Sequence, residues 1–187
     1  MKKAAIGLII FSFFLVSSAG AVAVLNGGGI LYGGTAGFNL DAPKGWVFDN
    51  ESGKPDGLYC VMYPEGGSWA KSPIVIYGNI GEAGEKTLEQ YIVADMDDMK
   101  QKVKNLKYTM SKGQVANKKF PFIAVDSYGI NDAYERVLYV YAGKSVCMVV
   151  MSTKDRALFM KYRNAVYEVI KNIFYMEVHD TTGGKGQ

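Results

Sequence analysis

Apolar and polar positions follow a two-residue period along most of the chain. Beyond residue 37, short apolar or alternating runs succeed one another with turn-forming residues between them, which is typical of strands joined by short loops. Because the connections between neighbouring runs are short, we expect a mainly antiparallel sheet. The predicted strands are 38–41, 46–48, 58–63, 73–78, 108–115, 120–128, 134–141 and 146–151.

A helical period appears twice. Thr87 and Gln90 form a capping-box pattern, and apolar residues then recur on one side of a helix as far as residue 106. A second apolar stripe starts near Asp155 and predicts one helix that ends near residue 175. The last two strands are apolar on both faces, so both sides of the sheet need cover. The pattern predicts an α+β fold, an α/β/α sandwich with one helix on each face of a mainly antiparallel central sheet.

Residues 1–23 have the composition of an export signal. Lys2 and Lys3 precede a long uncharged apolar run, and cleavage after either Ala21 or Ala23 satisfies the rule of small residues at the cleavage site. We predict cleavage after Ala23 and an exported protein, periplasmic or extracellular. An uncleaved membrane anchor is the alternative, because the uncharged run is long enough to cross a bilayer.

The rest of the chain is predicted to hold a single domain. Residues 24–37 are Gly-rich and predict a flexible leader, since a strand follows them where a phosphate-binding loop would need a helix. Residues 38–176 carry the strands and helices of the domain. Residues 177–187 are polar and Gly-rich and predict a disordered tail.

The charge balance disfavours a polyanionic partner. The 187 residues carry a formal net charge of +3, which falls by two, to +1, when Lys2 and Lys3 are removed with the signal. A nearly neutral chain has no overall field that attracts nucleic acid. We therefore predict no nucleic-acid partner, and a membrane contact only if the first segment stays uncleaved.

The side chains of common catalytic and metal sites are scarce. The single histidine, His179, lies near the end of the chain, so a Ser-His or Cys-His pair is not expected. Two carboxylate groups remain, for which a solvated helix face and a polar turn are favoured over a metal or acid-base site. They are Asp95, Asp97 and Asp98 on the first helix, and Asp126, Asp132 and Glu135 around one turn. We predict no catalytic residue, no metal and no cofactor.

Two cysteines and two loops are the remaining candidates. Cys60 and Cys147 lie in apolar runs, where export permits a disulfide and two buried free thiols are the alternative. The loops 49–57 and 64–69 are the best places for a contact surface. Its candidate partner or ligand contacts are Asp49, Asn50, Tyr63 and Trp69, with the two rings as anchors. Alternatively, Trp69 packs over the edge of the sheet.

The segment Phe38-Asn39-Leu40-Asp41-Ala42-Pro43-Lys44-Gly45-Trp46 resembles the opening of PsbP-like domains, where a strand leads through a Pro-x-Gly-Trp turn into a second strand. The later order, one helix in mid-chain and another after a long hairpin, is also similar, so the resemblance spans residues 37–176. It implies an α/β/α sandwich around an antiparallel sheet. Most PsbP-like domains are not enzymes, and no functional residue carries over to this chain.

These observations favour an exported, non-enzymatic domain that binds a protein partner or a small ligand in the cell envelope. The first alternative is a carboxylate- or metal-dependent hydrolase that uses the acids around Asp126 and Glu135. The second is a structural envelope protein tethered by an uncleaved first segment.

Overall fold

The computed structural model describes residues 24–25, 27–33, 36–114 and 119–177. The predicted signal peptide and nearly all of the predicted tail lie outside these ranges. The strands are β1 (Val24–Leu25), β2 (Gly28–Gly33), β3 (Ala36–Asp41), β4 (Trp46–Asp49), β5 (Val61–Pro64), β6 (Ile74–Glu82), β7 (Lys107–Gln114), β8 (Pro121–Ile130), β9 (Ala133–Ala142), β10 (Ser145–Thr153) and β11 (Tyr175–Glu177). The helices are α1 (Leu88–Lys102), α2 (Arg156–Tyr162), α3 (Ala165–Val169) and a short 3-10 helix, Lys54–Asp56.

The strands form two antiparallel sheets. The large sheet has seven strands in the order β4-β5-β6-β10-β9-β8-β7, and the small sheet has four in the order β1-β2-β3-β11. Two-residue turns join β8 to β9 and β9 to β10, and the first of them places Asn131 and Asp132 at positive φ. Asn and Asp tolerate this conformation, which matches the twist of a tight hairpin. The predicted antiparallel sheet and the long final hairpin are confirmed.

Helix α1 covers one face of the large sheet. Thr87 accepts a hydrogen bond from the Gln90 amide, and the Gln90 side chain accepts one from the Thr87 amide, so the predicted capping box is confirmed. The apolar stripe of the helix then packs on alternate residues of the central strands. This α1-side core consists of Ala83, Leu88, Ile92, Met96, Ile123, Val125, Val137, Tyr139, Val146 and Val150.

The opposite face has a different cover from the one predicted. It packs against α2, α3 and the small sheet, whose Leu31, Phe38 and Leu40 enter the same core as Val166 and Ile170. The α+β class holds, but the arrangement of one helix on each face is not confirmed, because α2, α3 and the small sheet share the second face. Two short helices leave much of this face bare, and the small sheet supplies the missing apolar cover.

The predicted flexible leader is wrong for residues 28–33, which form β2. Ile30 and Leu31 are buried, and β2 pairs along its whole length with β3. The two sheets come close at Gly78 of β6, where an added Cβ would lie only 2.9 Å from the Leu40 side chain and 3.0 Å from that of Leu31. Glycine content indicated flexibility, but a few apolar residues are enough to hold this strand on the core.

The predicted second helix is also wrong in its length. It divides into α2 and α3 around Arg163 and Asn164, and the Arg136 guanidinium binds the Arg163 carbonyl and the Asn164 side chain at this break. The chain after α3 returns as β11, in which Tyr175 pairs with Phe38 of β3. A continuous apolar stripe cannot reveal the break, because the residues on both sides of it face the same core. Within the described ranges, no helix is long and apolar enough to span a membrane.

Candidate functional site

Asp49 organises the first predicted contact loop. Its carboxylate accepts hydrogen bonds from the amides of Glu51 and Ser52, from the Ser52 hydroxyl and, at 2.8 Å, from the Tyr63 hydroxyl. Partial burial raises the pKa of Asp49, but these donors outweigh burial and lower the pKa to about 2. The carboxylate is therefore a fixed anionic centre that ties the loop after β4 to strand β5.

Trp69 ties the second predicted loop to the first. Its indole N–H donates a 2.8 Å hydrogen bond to the carboxylate of Asp56, which belongs to the 3-10 helix of the first loop. Its ring meets the Tyr77 ring edge-on, with centroids 6.2 Å apart. Trp69 thus packs on the sheet, as in the alternative to a role as a contact anchor, and it also joins the two loops.

The four predicted contact residues lie at one end of the large sheet. The structure brings Asp49 and Tyr63 into direct contact, and Asn50 follows Asp49 at the end of β4. Trp69 reaches them only through Asp56. We call residues 49–57 and 64–69 the braced loops, because these two hydrogen bonds join them to each other and to β5.

Glu135, which the sequence pattern assigns to a polar turn, belongs instead to a polar row on the α1 side of the sheet. Glu135 of β9 lies between Ser127 of β8 and Ser152 of β10 in the strand register. Only 8% of Glu135 is exposed, and burial raises its pKa to about 7, against the opposing effect of a hydrogen bond with Ser152. The signal in the sequence was an acid at an inward position of a strand that is otherwise apolar on that face.

Asp95 corrects the prediction of a solvated acidic helix face. It is buried on the inner side of α1, and its carboxylate accepts a 2.6 Å hydrogen bond from the Tyr139 hydroxyl. Burial raises the pKa of Asp95, although the bond from Tyr139 acts in the opposite direction. Asp97 and Asp98 are exposed, as predicted.

The predicted acidic turn is not a convergent site. Asp126 and Glu135 project from opposite faces of the large sheet. Asp126 pairs with Arg136 and Glu135 pairs with Ser127, and successive residues of a strand alternate between the two faces. Asp126 instead receives a two-pronged ion pair from Arg136, with nitrogen–oxygen distances of 2.5 and 2.7 Å. Asp132 lies exposed at the turn. Among the described residues, no group of three or more His, Cys, Asp or Glu side chains is placed to hold a metal ion.

Both cysteines are buried free thiols in this structure. The Gly78 amide donates to the Cys60 carbonyl, and Cys147 pairs with Ile80, so β6 lies between them with a two-residue offset. The spacings of a sheet then put the two Cα atoms roughly 12 Å apart, whereas a disulfide needs about 7 Å or less. The structure therefore shows the free-thiol alternative and not the disulfide.

Comparisons with known proteins concern the fold. No protein-family model and no curated protein matches the chain. The chain is similar to the solution structure of cyanobacterial PsbP from Synechocystis sp. PCC 6803, with a TM-score of 0.48 and 12% identity over 74% of this chain and 86% of that chain. It is also similar to the crystal structure of a Pseudomonas aeruginosa protein of unknown function, described as a putative regulator, with a TM-score of 0.44 and 11% identity over 76% of this chain and 92% of that chain. The weak PsbP-like resemblance in fold is thus confirmed, at a level that identifies no activity.

Proposed function

We propose that this chain is an exported, non-enzymatic binding domain that contacts a protein partner through the braced loops. The observation that carries the proposal is the pair of hydrogen bonds from Tyr63 to Asp49 and from Trp69 to Asp56. They hold two otherwise irregular loops in one arrangement. A surface that is ordered before binding loses less conformational entropy on association.

The outer side of the braced loops has the mixed polar character of a protein-contact rim. Its exposed positions combine charged, small and turn-forming residues around the partly buried rings of Tyr63 and Trp69. They are Glu51, Ser52, Lys54, Pro55, Gly57, Glu65, Gly66 and Gly67. The ion pair between Lys54 and Glu51 is exposed and worth little, so both side chains remain available to a partner.

Site-specific photo-crosslinking in the native cell envelope tests the proposal. A benzophenone amino acid is placed at Pro55 or Glu65 in the loops and, as a control, at Val93 on the exposed side of α1. We expect the same discrete adduct from both loop positions and none from position 93. No adduct from either loop, or the same adduct from position 93, would overturn the proposal.

A conservative variant tests the role of the bracing. Trp69→Phe keeps a ring on Tyr77 but removes the N–H that binds Asp56, so the adduct formed through position 55 should weaken severalfold. Tyr128→Phe, which changes an exposed ring on β8, is the matched control and should leave the yield unchanged. Equal yields from both variants would show that bracing does not matter for binding.

Export is tested separately by the intact mass of the mature protein. We expect a chain that begins at Val24, or at Val22 if cleavage follows Ala21. A mass that includes residue 1 in a membrane fraction would instead support the tethered alternative. This result is independent of the crosslinking result.

A further inference from the structure

The lysines of this chain are concentrated in one segment. Between Met99 and Val125 there is no acidic residue, while seven of the 21 basic residues of the chain fall there: Lys100, Lys102, Lys104, Lys107, Lys112, Lys118 and Lys119. The predicted mature chain has a formal net charge of +1. This segment alone contributes +7, so the rest of the mature chain carries a net charge of −6. The near-neutral total therefore hides a strong local asymmetry.

The part of this basic segment that the structure describes up to residue 114 lies at one edge of the large sheet. It includes the end of α1, the connection 103–106 and strand β7, which is last in the strand order. Within the described ranges, β7 pairs only with β8, so its outer edge presents main-chain N–H and C=O groups over eight residues. Exposed side chains line this edge: Lys107, Thr109, Met110, Ser111 and Lys112.

The lysines along the edge are available to an incoming anion. The ion pairs from Lys100 to Asp97 and from Lys112 to Glu89 join largely exposed side chains, so each contributes little and is readily exchanged. Lys104 and Lys107 are exposed and form no ion pair with any described residue. An acidic ligand would thus meet positive charge without breaking a buried interaction.

We propose that the outer edge of β7 binds an extended acidic segment of a partner protein, which adds to the sheet as an eighth strand. The open main-chain ladder favours a polypeptide, because neither a lipid surface nor a nucleic acid matches its alternating donors and acceptors. The lysines disfavour pairing with β7 of a second copy and favour a strand that carries Glu or Asp. This edge lies at the opposite end of the strand order from the braced loops, so the inference goes beyond the proposed function.

The direct test uses a labelled peptide about as long as β7, with Glu alternating with Val and Thr. We expect saturable binding by fluorescence anisotropy, together with slower hydrogen exchange of alternate β7 amides. Two peptides of the same charge, N-methylated at the odd or at the even residues, separate strand addition from simple charge attraction. One of them should lose binding, because it cannot donate to the edge. Equal binding of all three peptides, or unchanged exchange on β7, would overturn the proposal.

Charge-reversal variants locate the site. Lys104→Glu combined with Lys107→Glu should weaken peptide binding about tenfold, because two attractions become repulsions. Lys44→Glu combined with Lys171→Glu changes the net charge equally at exposed positions away from β7 and should have little effect. Equal losses from the two double variants would show a general charge effect and no site.

Other occupants of the edge are outcomes of the same experiment. Tighter binding to phosphatidylserine vesicles or to a single-stranded oligonucleotide than to the acidic peptide would overturn the proposal in favour of an anionic surface. A dimer in light scattering that the Lys104/Lys107 variant alters would instead assign the edge to a second copy. Competition by the unlabelled peptide and by one of its N-methylated forms, but not by the other, would support the acidic strand.

Discussion

The Tyr139 hydroxyl of β9 donates a 2.6 Å hydrogen bond to the Asp95 carboxylate of α1 inside the α1-side core. Only 1% of Tyr139 is exposed, and its ring lies 6.4 Å from that of Tyr91 on the same helix. The bond therefore links the helix to the sheet at a point where water cannot replace either partner. A buried polar group left without its partner carries the full cost of desolvation.

We expect Tyr139→Phe to lower the free energy of unfolding by about 1–3 kcal/mol, because Asp95 would lose its buried donor. Asp95→Asn keeps an acceptor at the same place and should cost less than the tyrosine substitution. Urea unfolding followed by the fluorescence of Trp46 and Trp69 measures both. If the two variants cost the same, the hydrogen bond is not the source of the effect.

Glu135 should make stability depend on pH. Its pKa is about 7 in the folded chain, against an ordinary value of 4.5, so the folded state holds a proton that the unfolded chain has lost. The contribution of Glu135 to the free energy of unfolding is fully present below pH 4.5 and is lost as pH rises through 7. The total change is about 3 kcal/mol.

Glu135→Gln should remove this dependence, so its stability curve between pH 4.5 and 7 should be flatter than that of the parent protein. Glu51→Gln at an exposed position is the control and should leave the curve unchanged. Asp49 does not interfere, because its lowered pKa of about 2 gives stability that is lost only as pH falls towards that value. Parallel curves for the parent and Glu135→Gln would contradict the assignment.

The ion pair of Arg136 with Asp126 should be sensitive to its geometry. Arg136→Ala leaves the partly buried Asp126 carboxylate without its partner and removes the contacts at Arg163 and Asn164. We therefore expect the free energy of unfolding to fall by about 3 kcal/mol.

Replacing both partners, Arg136→Met with Asp126→Leu, should recover much of that loss, because no buried charge then remains. Arg136→Lys keeps the charge but loses the two-pronged contact. Its free energy of unfolding should therefore lie between that of Arg136→Ala and that of the parent protein. A lysine variant as stable as the parent would show that charge alone suffices.

The two thiols should be inert until the chain unfolds. Burial raises the pKa of Cys60 to about 12, against a weaker opposing hydrogen bond at Gly78, and burial also raises the pKa of Cys147. The reactive thiolate is therefore scarce at neutral pH. We expect no reaction with a disulfide reagent in the native state and two reactive thiols in urea. Release of no thiol in urea would show that the purified protein carries a disulfide.

Local patterns along the chain predicted much of the fold. The Thr87–Gln90 box started α1 correctly, and the alternating runs located strands β3 to β10 within a few residues. The strand β2 escaped prediction because its glycines conceal the role of Ile30 and Leu31. At the candidate site, Asp49 begins the predicted loop 49–57 and Tyr63 ends the predicted strand 58–63, and the structure joins their side chains.

The sequence by itself determined the strand and helix signals, the charge asymmetry around β7 and the scarcity of histidine, since each depends only on the order of residues. Tertiary structure alone decided which side chains share a face. The strand register places Asp126 with Arg136 on one side of the large sheet and Glu135 with Ser152 on the other, although Glu135 and Arg136 are consecutive residues. It also buried Asp95 against Tyr139, 44 positions away along the chain. Such contacts depend on how strands pair and helices dock, and the burial that results raises the pKa of Glu135 and that of Asp95.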